Sequence, residues 1–500
     1  MKILSLYDDQ KEVMADLSGA MRRHKSILLQ SPTGSGKTKM AMYIIIKTVR
    51  KIMEDPRFAN RRVVFTVPRK DLLEQTSKEF NLYGIAHSYI ASGKPHNPFA
   101  KVYIAMVDTA ANRIEVNDMG QIIGAAMPEA YIVLVDETHF GAAALGKIIR
   151  YYKQQGAWVI GLSATPWKLN GEGLGKWYDH MVMGKTVRWL IDNKRLSDYD
   201  YYYGVTKPDL SKIKVTAGDY AKGELADFME HQGAIIGDCV NDYRSRCMGR
   251  LHIVRCASIK HSQMVAASFR DAGITFVHVD GETPMDERER IFKAYARREI
   301  LGLTFCSLLS FGFDLSQASG MDVCIESGSD LKPTKSLADI TQFRGRMMRY
   351  KPYNAVINDH VNNYIEHDLP CTDRDWTLAD RPKAKKGERE PVPQTKQCPT
   401  CYYVHPPAPA CPQCGHIYVV NSREIENVEG DLQKMDKDSF NRSKKEVTLD
   451  EIDQMILPMN DRDTLEYLIG YAQANKIKNA GKWAAKEMAK RINKRKDLHK

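Results

Sequence analysis

Ser26-Ile-Leu-Leu-Gln30, followed by Ser31-Pro-Thr-Gly-Ser-Gly-Lys-Thr38, is the stretch on which the fold turns. A short apolar run of strand character ends in a Gly-rich turn, and a helical pattern opens at Lys37. Gly34 and Gly36 free the backbone to close N–H groups around an anion. The helix that follows points its positive end at the same place. In such a loop Lys37 reaches the β- and γ-phosphates, Thr38 holds Mg²⁺ through its hydroxyl, and Thr33 and Ser35 complete the cradle. Ser31 stands where this motif more often has Ala or Gly. Taken alone, the stretch also reads as a Gly turn with an exposed lysine. The strand before it and the helix after it are the context that makes ATP the expected ligand.

Working outward, the same rhythm recurs. Arg62–Val67, Val102–Met106, Ile132–Val135 and Trp158–Leu162 are further short β-branched runs separated by helical patterns. Strands alternating with helices predict a mostly parallel sheet with crossover helices. After a tyrosine-rich, polar stretch that includes Tyr199–Tyr203, the rhythm resumes at Gly233. Leu251–Cys256, Phe276–Val279, Leu301–Cys306 and Val323–Ser327 are the expected strands of a second sheet. The predicted fold is therefore α/β, with two parallel-sheet lobes in tandem.

About a hundred residues beyond the Gly-rich loop, the run Ile132-Val-Leu-Val135 ends in Asp136-Glu137-Thr138-His139. A strand ending in two carboxylates puts them at the carboxyl edge of the sheet, where α/β proteins bind ligands. There Asp136 is placed to hold Mg²⁺ and Glu137 to orient and deprotonate a water. Alone, Asp-Glu at a strand end reads as a solvated turn; paired with the phosphate loop it does not.

Together with Gly161-Leu-Ser-Ala-Thr-Pro166 in the first block and Gln342-Phe-Arg-Gly-Arg346-Met-Met-Arg349 in the second, these motifs resemble the superfamily 2 DExH helicases. The resemblance implies two RecA-like lobes with ATP hydrolysed between them. It assigns Ser163 and Thr165, with His139, to coupling the ATP state to the nucleic-acid track. It makes Gln342, Arg346 and Arg349 the catalytic contribution of the second lobe. A planar cation at a developing phosphoryl charge is worth on the order of 10³–10⁵ in rate. Tyr7-Asp-Asp-Gln10 resembles the motif in which Gln10 reads adenine and Tyr7 stacks on it. Phe311-Gly312-Phe313-Asp314 resembles motif V, where the family has an acidic residue in place of Phe311; Gly312 and Asp314 remain as nucleotide-site candidates. Gly281-Glu-Thr-Pro284, with Glu287-Arg288, resembles the segment after motif IV.

Track candidates sit at strand ends of both blocks. Val67-Pro68-Arg69-Lys70-Asp-Leu-Leu-Glu-Gln75 resembles motif Ia, Asp108-Thr109 motif Ib, and Ser258 with Lys260 stand in the place of motif IV. The residues expected to touch nucleic acid are thus Pro68, Arg69, Thr109, Ser258 and Lys260. Each also fits an ordinary loop residue. Contacts of this kind go to phosphate and sugar, so weak sequence preference and strong salt dependence are expected.

Past the second block, Arg381-Pro-Lys-Ala-Lys-Lys-Gly-Glu-Arg-Glu-Pro has a linker composition, and Cys398-Pro-Thr-Cys401 and Cys411-Pro-Gln-Cys414 follow. Two CxxC knuckles in a short segment suit a tetrahedral zinc site of four thiolates; a redox CxxC pair is the rival reading. The stretch Tyr471–Lys500 holds eight Lys and two Arg against one Glu and one Asp, while the whole chain carries 73 Lys+Arg against 62 Asp+Glu, a net charge of +11. A basic tail suits a phosphate backbone and equally suits a solvated helix end. Lys482, Lys486, Lys490 and Lys494 share one helical face, beside Ala485, Met488, Ala489 and Ile492. The other six cysteines are scattered singly, as in a reducing compartment. Met1 to Glu12 show no secretory signal, and no apolar run approaches a membrane span.

The expected organisation is lobe 1 at 1–184, a connecting region at 185–232, lobe 2 at 233–378, a linker at 379–397, a zinc ribbon at 398–420 and a helical basic tail at 421–500. Asp359-His360, Asn362 and Trp376-Thr-Leu378 before the ribbon make the resemblance closest to RadD-type and phage-type DExH helicases. It implies a soluble enzyme of the bacterial or phage-infected cytoplasm, with ATP, Mg²⁺ and Zn²⁺ as cofactors. DNA is the expected polymer ahead of RNA, with a protein partner for the ribbon or tail left open. Three functional readings stay open: a helicase of replication, repair or recombination; a duplex translocase that does not separate strands; and an ATPase switch serving as a scaffold.

Overall fold

A computed structural model describes residues 4–140, 142–168, 170–204, 208–216, 218–307 and 314–381. Short backbone pieces at 396–397, 404–405 and 432–434 and the residues Leu468 and Ala485 are also described. Met1–Met435 form one compact unit and Asp436–Lys500 another. In the latter, Leu468 is buried and Ala485 exposed.

The first lobe is a sheet of seven strands in the order Ser88–Ile90, Val102–Met106, Arg62–Val67, Ala130–Val135, Trp158–Ser163, Ser26–Gln30, His180–Met183. Every pairing in it is parallel. A two-residue side-chain period splits each central strand between two cores. Ile27, Leu29, Val63, Phe65, Ile132 and Leu134 face one, and Leu28, Val64, Val133 and Val135 the other. The first core is closed by helices Asp8–Met21, Lys37–Glu54 and Lys70–Leu82, the second by Val107–Asn112 and Ala142–Gln154. Helix Lys37–Glu54 buries Met40, Ala41, Ile44, Ile45, Val49 and Ile52, a stripe of helical period. Each such aliphatic residue contributes about 1.5–3 kcal/mol by leaving water. This is the machinery that anchors the phosphate loop at its helix end.

The second lobe is again a seven-stranded sheet among the described residues, in the order Phe276–His278, Gly302–Phe305, His252–Arg255, Ser327–Asp330, Ala355–Asp359, Tyr199–Gly204, Leu432–Lys434. All pairings are parallel except the last. Two sequence expectations shift here. The expected strand Val323–Ser327 lies instead at Ser327–Asp330. Ser316 bonds the backbone of Val323, and the Glu326 carboxylate accepts the Leu251 N–H at 2.7 Å, so the apolar residues turn aside before the sheet begins. The actual strand is polar yet fully buried, because the hydroxyls of Ser327 and Ser329 meet the two ring nitrogens of His252 at 2.8 and 3.0 Å. The tyrosine-rich stretch Tyr199–Gly204, read as part of a connector, is a strand of the second sheet alongside Ala355–Asp359.

Helix Leu337–Met347, which carries Gln342 and Arg346, is fastened to this sheet through buried charge. Arg255 makes a two-pronged pair with Asp330, at 2.9 and 2.7 Å, and reaches Asp339 on the helix at 3.0 Å. Lys332 adds a second cation to Asp339 at 2.9 Å. Paired in this way, the charges tolerate burial, and removal of either partner would strand the other. Beyond the second lobe the chain returns to the first. Gly175 N–H donates to Leu378 O at 2.8 Å, Gly173 N–H to Asp380 Oδ1 at 2.8 Å and Trp167 Nε1 to Ala379 O at 3.0 Å. The lobes are thus joined by two chain crossings.

Candidate active site

The loops that leave three adjacent strands of lobe 1 build one half of the site. The loop after Ser26–Gln30 holds Gly34 at φ 85° and Gly36 at φ 87°, left-handed conformations that favour glycine. Ser31, the departure from the usual motif, braces this loop by bonding Ser35 Oγ at 2.7 Å. Lys37 folds back to donate to the carbonyls of Ser31, at 2.9 Å, and Pro32, at 3.2 Å. Loss of water lowers its pKa, and the nearby carboxylates Glu137 and Asp136 oppose that shift. Asp136 and Glu137 emerge from Ala130–Val135. Their pKa values are both raised, chiefly by burial, against the pull of Lys37. Glu137 has φ 44°, an unusual conformation for a residue with a side chain, and it aims the carboxylate at the other lobe.

His139 is held beneath the pair. Ser163 Oγ donates to Thr165 O at 2.6 Å and accepts the Thr165 N–H at 3.1 Å. With its proton committed, the serine oxygen accepts from His139 Nδ1 at 2.9 Å. That bond assigns the Nδ1–H tautomer and leaves Nε2 an acceptor, buried and without a hydrogen-bond partner. Burial pushes the His139 pKa down to about 3, so the ring is neutral. The structure therefore joins the three expected coupling residues, His139, Ser163 and Thr165, in one network.

Lobe 2 closes the site. Gln342 Nε2 donates to Glu137 Oε1 at 2.9 Å, across 205 positions of sequence. Beside it Gly345 packs on the phosphate loop: a Cβ there would lie 2.6 Å from Thr33 Cβ. Arg346 faces the same cleft; burial lowers its pKa to about 10, still cationic, with Asp314 and Glu137 opposing the shift. Arg349 is exposed, pairs with Asp314 and donates to Ser316 Oγ at 3.2 Å. A cavity of about 320 Å³ lies between the lobes, lined by Lys37, Thr38, Glu137, Gln342, Arg346 and Arg349 among others. Two contacts there carried no sequence signal. Gln75 Oε1 accepts the Asp314 N–H at 2.9 Å, and Glu79 Oε2 accepts from Gln317 Nε2 at 3.2 Å. Their four-residue spacing marks one face of helix Lys70–Leu82, but nothing local says that this face meets lobe 2.

Gln10 is buried and braces the loop, donating to Ser35 O at 3.0 Å and accepting the Tyr7 N–H at 3.1 Å. Its amide keeps one N–H and one lone pair for a further partner. Tyr7 is 50% exposed. The track candidates are less free than their positions suggest. Arg69 pairs with Asp71 at 2.8 and 3.2 Å. Ser258 caps helix Ile259–Asp271 and donates to Glu230 Oε1 at 2.7 Å, and Lys260 pairs with Glu230 Oε2 at 2.8 Å. Pro68 and Thr109 are partly buried beside the strands Arg62–Val67 and Val102–Met106. Gly312, Cys398, Cys401, Cys411 and Cys414, and the tail but for Leu432–Lys434, Leu468 and Ala485, lie outside the described residues; Leu432–Lys434, expected in a helical tail, is a strand of the second sheet.

The cleft suits a nucleotide triphosphate with a divalent cation. Lys37 donates only to its own loop's carbonyls in the hydrogen bonds above. Thr33 Oγ1 and Glu137 Oε2 are buried without a hydrogen-bond partner, and two raised carboxylate pKa values stand beside them. A bound cation would relieve the carboxylates, and a polyphosphate would take Lys37 and Arg346. Among the described residues no group of three or more His, Cys, Asp or Glu is placed to hold a metal ion, and no helix is long and apolar enough to cross a membrane.

Residues 3–168 match the family described as type III restriction enzyme, res subunit, and residues 238–351 match the helicase conserved C-terminal domain. A 51.5 kDa protein of a Lactococcus phage is 32% identical over 415 residues, which cover 82% of each chain. IRC3 of Saccharomyces cerevisiae, described as an ATP-dependent helicase, is 24% identical over 72% of this chain and 51% of its own length. The chain thus spans about half of that relative. Among solved structures, a fragment of an HsdR-type subunit of a type I restriction enzyme from Vibrio vulnificus has a TM-score of 0.52 at 16% identity, over 74% of this chain and 66% of that one. The Type ISP restriction-modification enzyme LlaBIII, bound to DNA, has a TM-score of 0.51 at 16% identity, over 71% and 28%. Both likenesses concern the fold.

Proposed function

This chain belongs to the ATP-hydrolysing superfamily 2 helicases, and on that premise we propose that it is a DNA-directed motor whose lobes close on each ATP. The observation that carries the reading is the Gln342–Glu137 hydrogen bond across the lobes, because it makes the catalytic carboxylate answer to lobe position. Thr38 and Asp136 are the residues to hold Mg²⁺, which would neutralise phosphate charge. Glu137 orients the attacking water and takes its proton. Lys37 binds from lobe 1, Arg346 and Arg349 from lobe 2, so binding draws the lobes together and hydrolysis releases them. Pro68, Arg69, Thr109, Ser258 and Lys260 are proposed as phosphate contacts, with Arg69 and Lys260 exchanging a carboxylate partner for the polymer.

A duplex translocase that does not separate strands is the second reading, favoured by the match of residues 3–168 to the restriction res subunit. DNA is preferred to RNA on the same ground. The domain limits of the sequence reading, with Tyr199–Gly204 and Leu432–Lys434 moved into lobe 2, a four-cysteine zinc ribbon at Cys398, Cys401, Cys411 and Cys414, and a soluble cytoplasmic setting complete the proposal. The deciding experiment measures ATP hydrolysis on single-stranded, duplex, forked and RNA substrates, with strand displacement followed on the fork. Stimulation by DNA with displacement supports the helicase; stimulation by duplex alone supports the translocase. Hydrolysis indifferent to every polymer would overturn both. Lys37→Ala should abolish turnover, and Glu137→Gln should leave ATP bound and uncleaved.

A further inference from the structure

The segment Lys194–Ser197, which enters lobe 2, touches three parts of the nucleotide site at once. Lys194 has φ 54°, a left-handed turn that ends the short helix Val187–Asp192 and reverses the chain. The next residue, Arg195, lays its guanidinium 3.8 Å from the centroid of the Tyr7 ring. Its Nε donates to Asp9 Oδ1 at 3.1 Å, and Asp9 is buried. Leu196 rests on the phosphate loop so closely that a Cβ at Gly34 would lie 2.7 Å from its Cδ2. Its backbone also bridges Arg349. Ser197 N–H donates to Met348 O at 2.9 Å, and its hydroxyl lies 3.1 Å from Arg349 O and 2.9 Å from Lys351 O.

We propose that Arg195 is a base-recognition residue: its guanidinium, layered on Tyr7 and held by Asp9, is the platform on which the purine ring of the nucleotide stacks. This rests on the reading of Tyr7 and Gln10 as the base end of the ATP site, and it moves the stacking face expected of Tyr7 onto Arg195. A guanidinium is planar and weakly hydrated, and it stacks on flat π-systems. At 3.8 Å the Arg195–Tyr7 layer leaves no slot for a ring between them, so the base lies on the outer face of the cation. Asp9 holds the Nε edge and stops the plane from tumbling. Because Leu196 and Ser197 continue to Gly34 and Arg349, a base seated on Arg195 also steadies the backbone leading to the lobe 2 arginine. Helix-face periodicity does not reveal Arg195, which falls in an irregular connector.

The test compares the full-length protein with Arg195→Ala, Arg195→Lys and Gln10→Ala. Each is assayed for ATP hydrolysis on DNA and for competitive inhibition by inorganic tripolyphosphate, which has the phosphates and no base. The proposal expects Arg195→Ala to raise KM for ATP about tenfold, one stacking contact's worth, with tripolyphosphate inhibition unchanged. Arg195→Lys, which keeps the charge for Asp9 and loses the plane, should show the same base-specific defect. Equal weakening of ATP and tripolyphosphate would make Arg195 a structural pin and overturn the proposal. So would full rescue by lysine, or tighter ATP binding by Arg195→Ala, which would mark a plug over Tyr7. If Gln10→Ala also leaves ATP affinity intact, the base end has been misplaced altogether, and the underlying reading of the site fails with it.

Discussion

Gly345→Ala offers the sharpest probe of lobe closure, because one methyl group is placed in the seam between the lobes. The added Cβ would stand 2.6 Å from Thr33 Cβ and 2.7 Å from Thr33 Cγ2. Carbon atoms at ease are about 3.5–4.0 Å apart, so helix Leu337–Met347 must retreat from the phosphate loop by roughly 1 Å. Neither partner yields easily: Cβ atoms have no rotamer to change, and Arg255 ties the helix down through Asp339. The same retreat would stretch the Gln342–Glu137 bond from 2.9 Å to beyond hydrogen-bonding range. A displacement of this size at a reacting centre costs on the order of 10²-fold in rate. Alanine favours the helix over glycine by about 0.5–1 kcal/mol, so the melting temperature should hold or rise while kcat falls. DNA-stimulated ATP hydrolysis and thermal unfolding, measured together, separate this from misfolding. Thr33→Gly in the same chain removes the opposing side chain and should return part of the activity. A Gly345→Ala protein with undiminished kcat would show that the lobes do not need this contact distance, and the closure argument would fall.

Two other outcomes follow from the structure. Glu79 is pushed up from 4.5 to about 7, chiefly by burial, so the closed arrangement favours its protonated form. Its cost to closure is absent below about pH 4.5, grows through the window up to about 7 and is complete above it. Closure followed by X-ray scattering should therefore weaken as pH rises through that window, and Glu79→Gln should flatten the profile; an unchanged slope would acquit Glu79. For the ribbon, metal analysis should find about one zinc per chain, lost in Cys398→Ser. A parent protein free of zinc would refute the four-thiolate site.

The apolar runs Ser26–Gln30 and Arg62–Val67 were legible as strands because both of their faces are buried, and composition alone reports that. The phosphate loop was legible because Gly34 and Gly36 serve a local backbone need. Asp136 and Glu137 could be placed because a strand end fixes where its next residues emerge. Ser327–Asp330 escaped because its burial rests on His252, 75 positions away, and not on apolar side chains. Tyr199–Gly204 escaped because its partner strand lies at Ala355–Asp359. The sequence by itself thus determined the two α/β lobes and where the phosphate loop and the paired carboxylates emerge, since those follow from short-range periodicity and turn geometry. Only the tertiary structure decided that Gln342 bonds Glu137, that Gly345 abuts Thr33, that Glu79 faces Gln317 and that Arg195 lies on Tyr7. Those contacts join segments more than 180 residues apart in every case, and no local pattern specifies a partner at that distance.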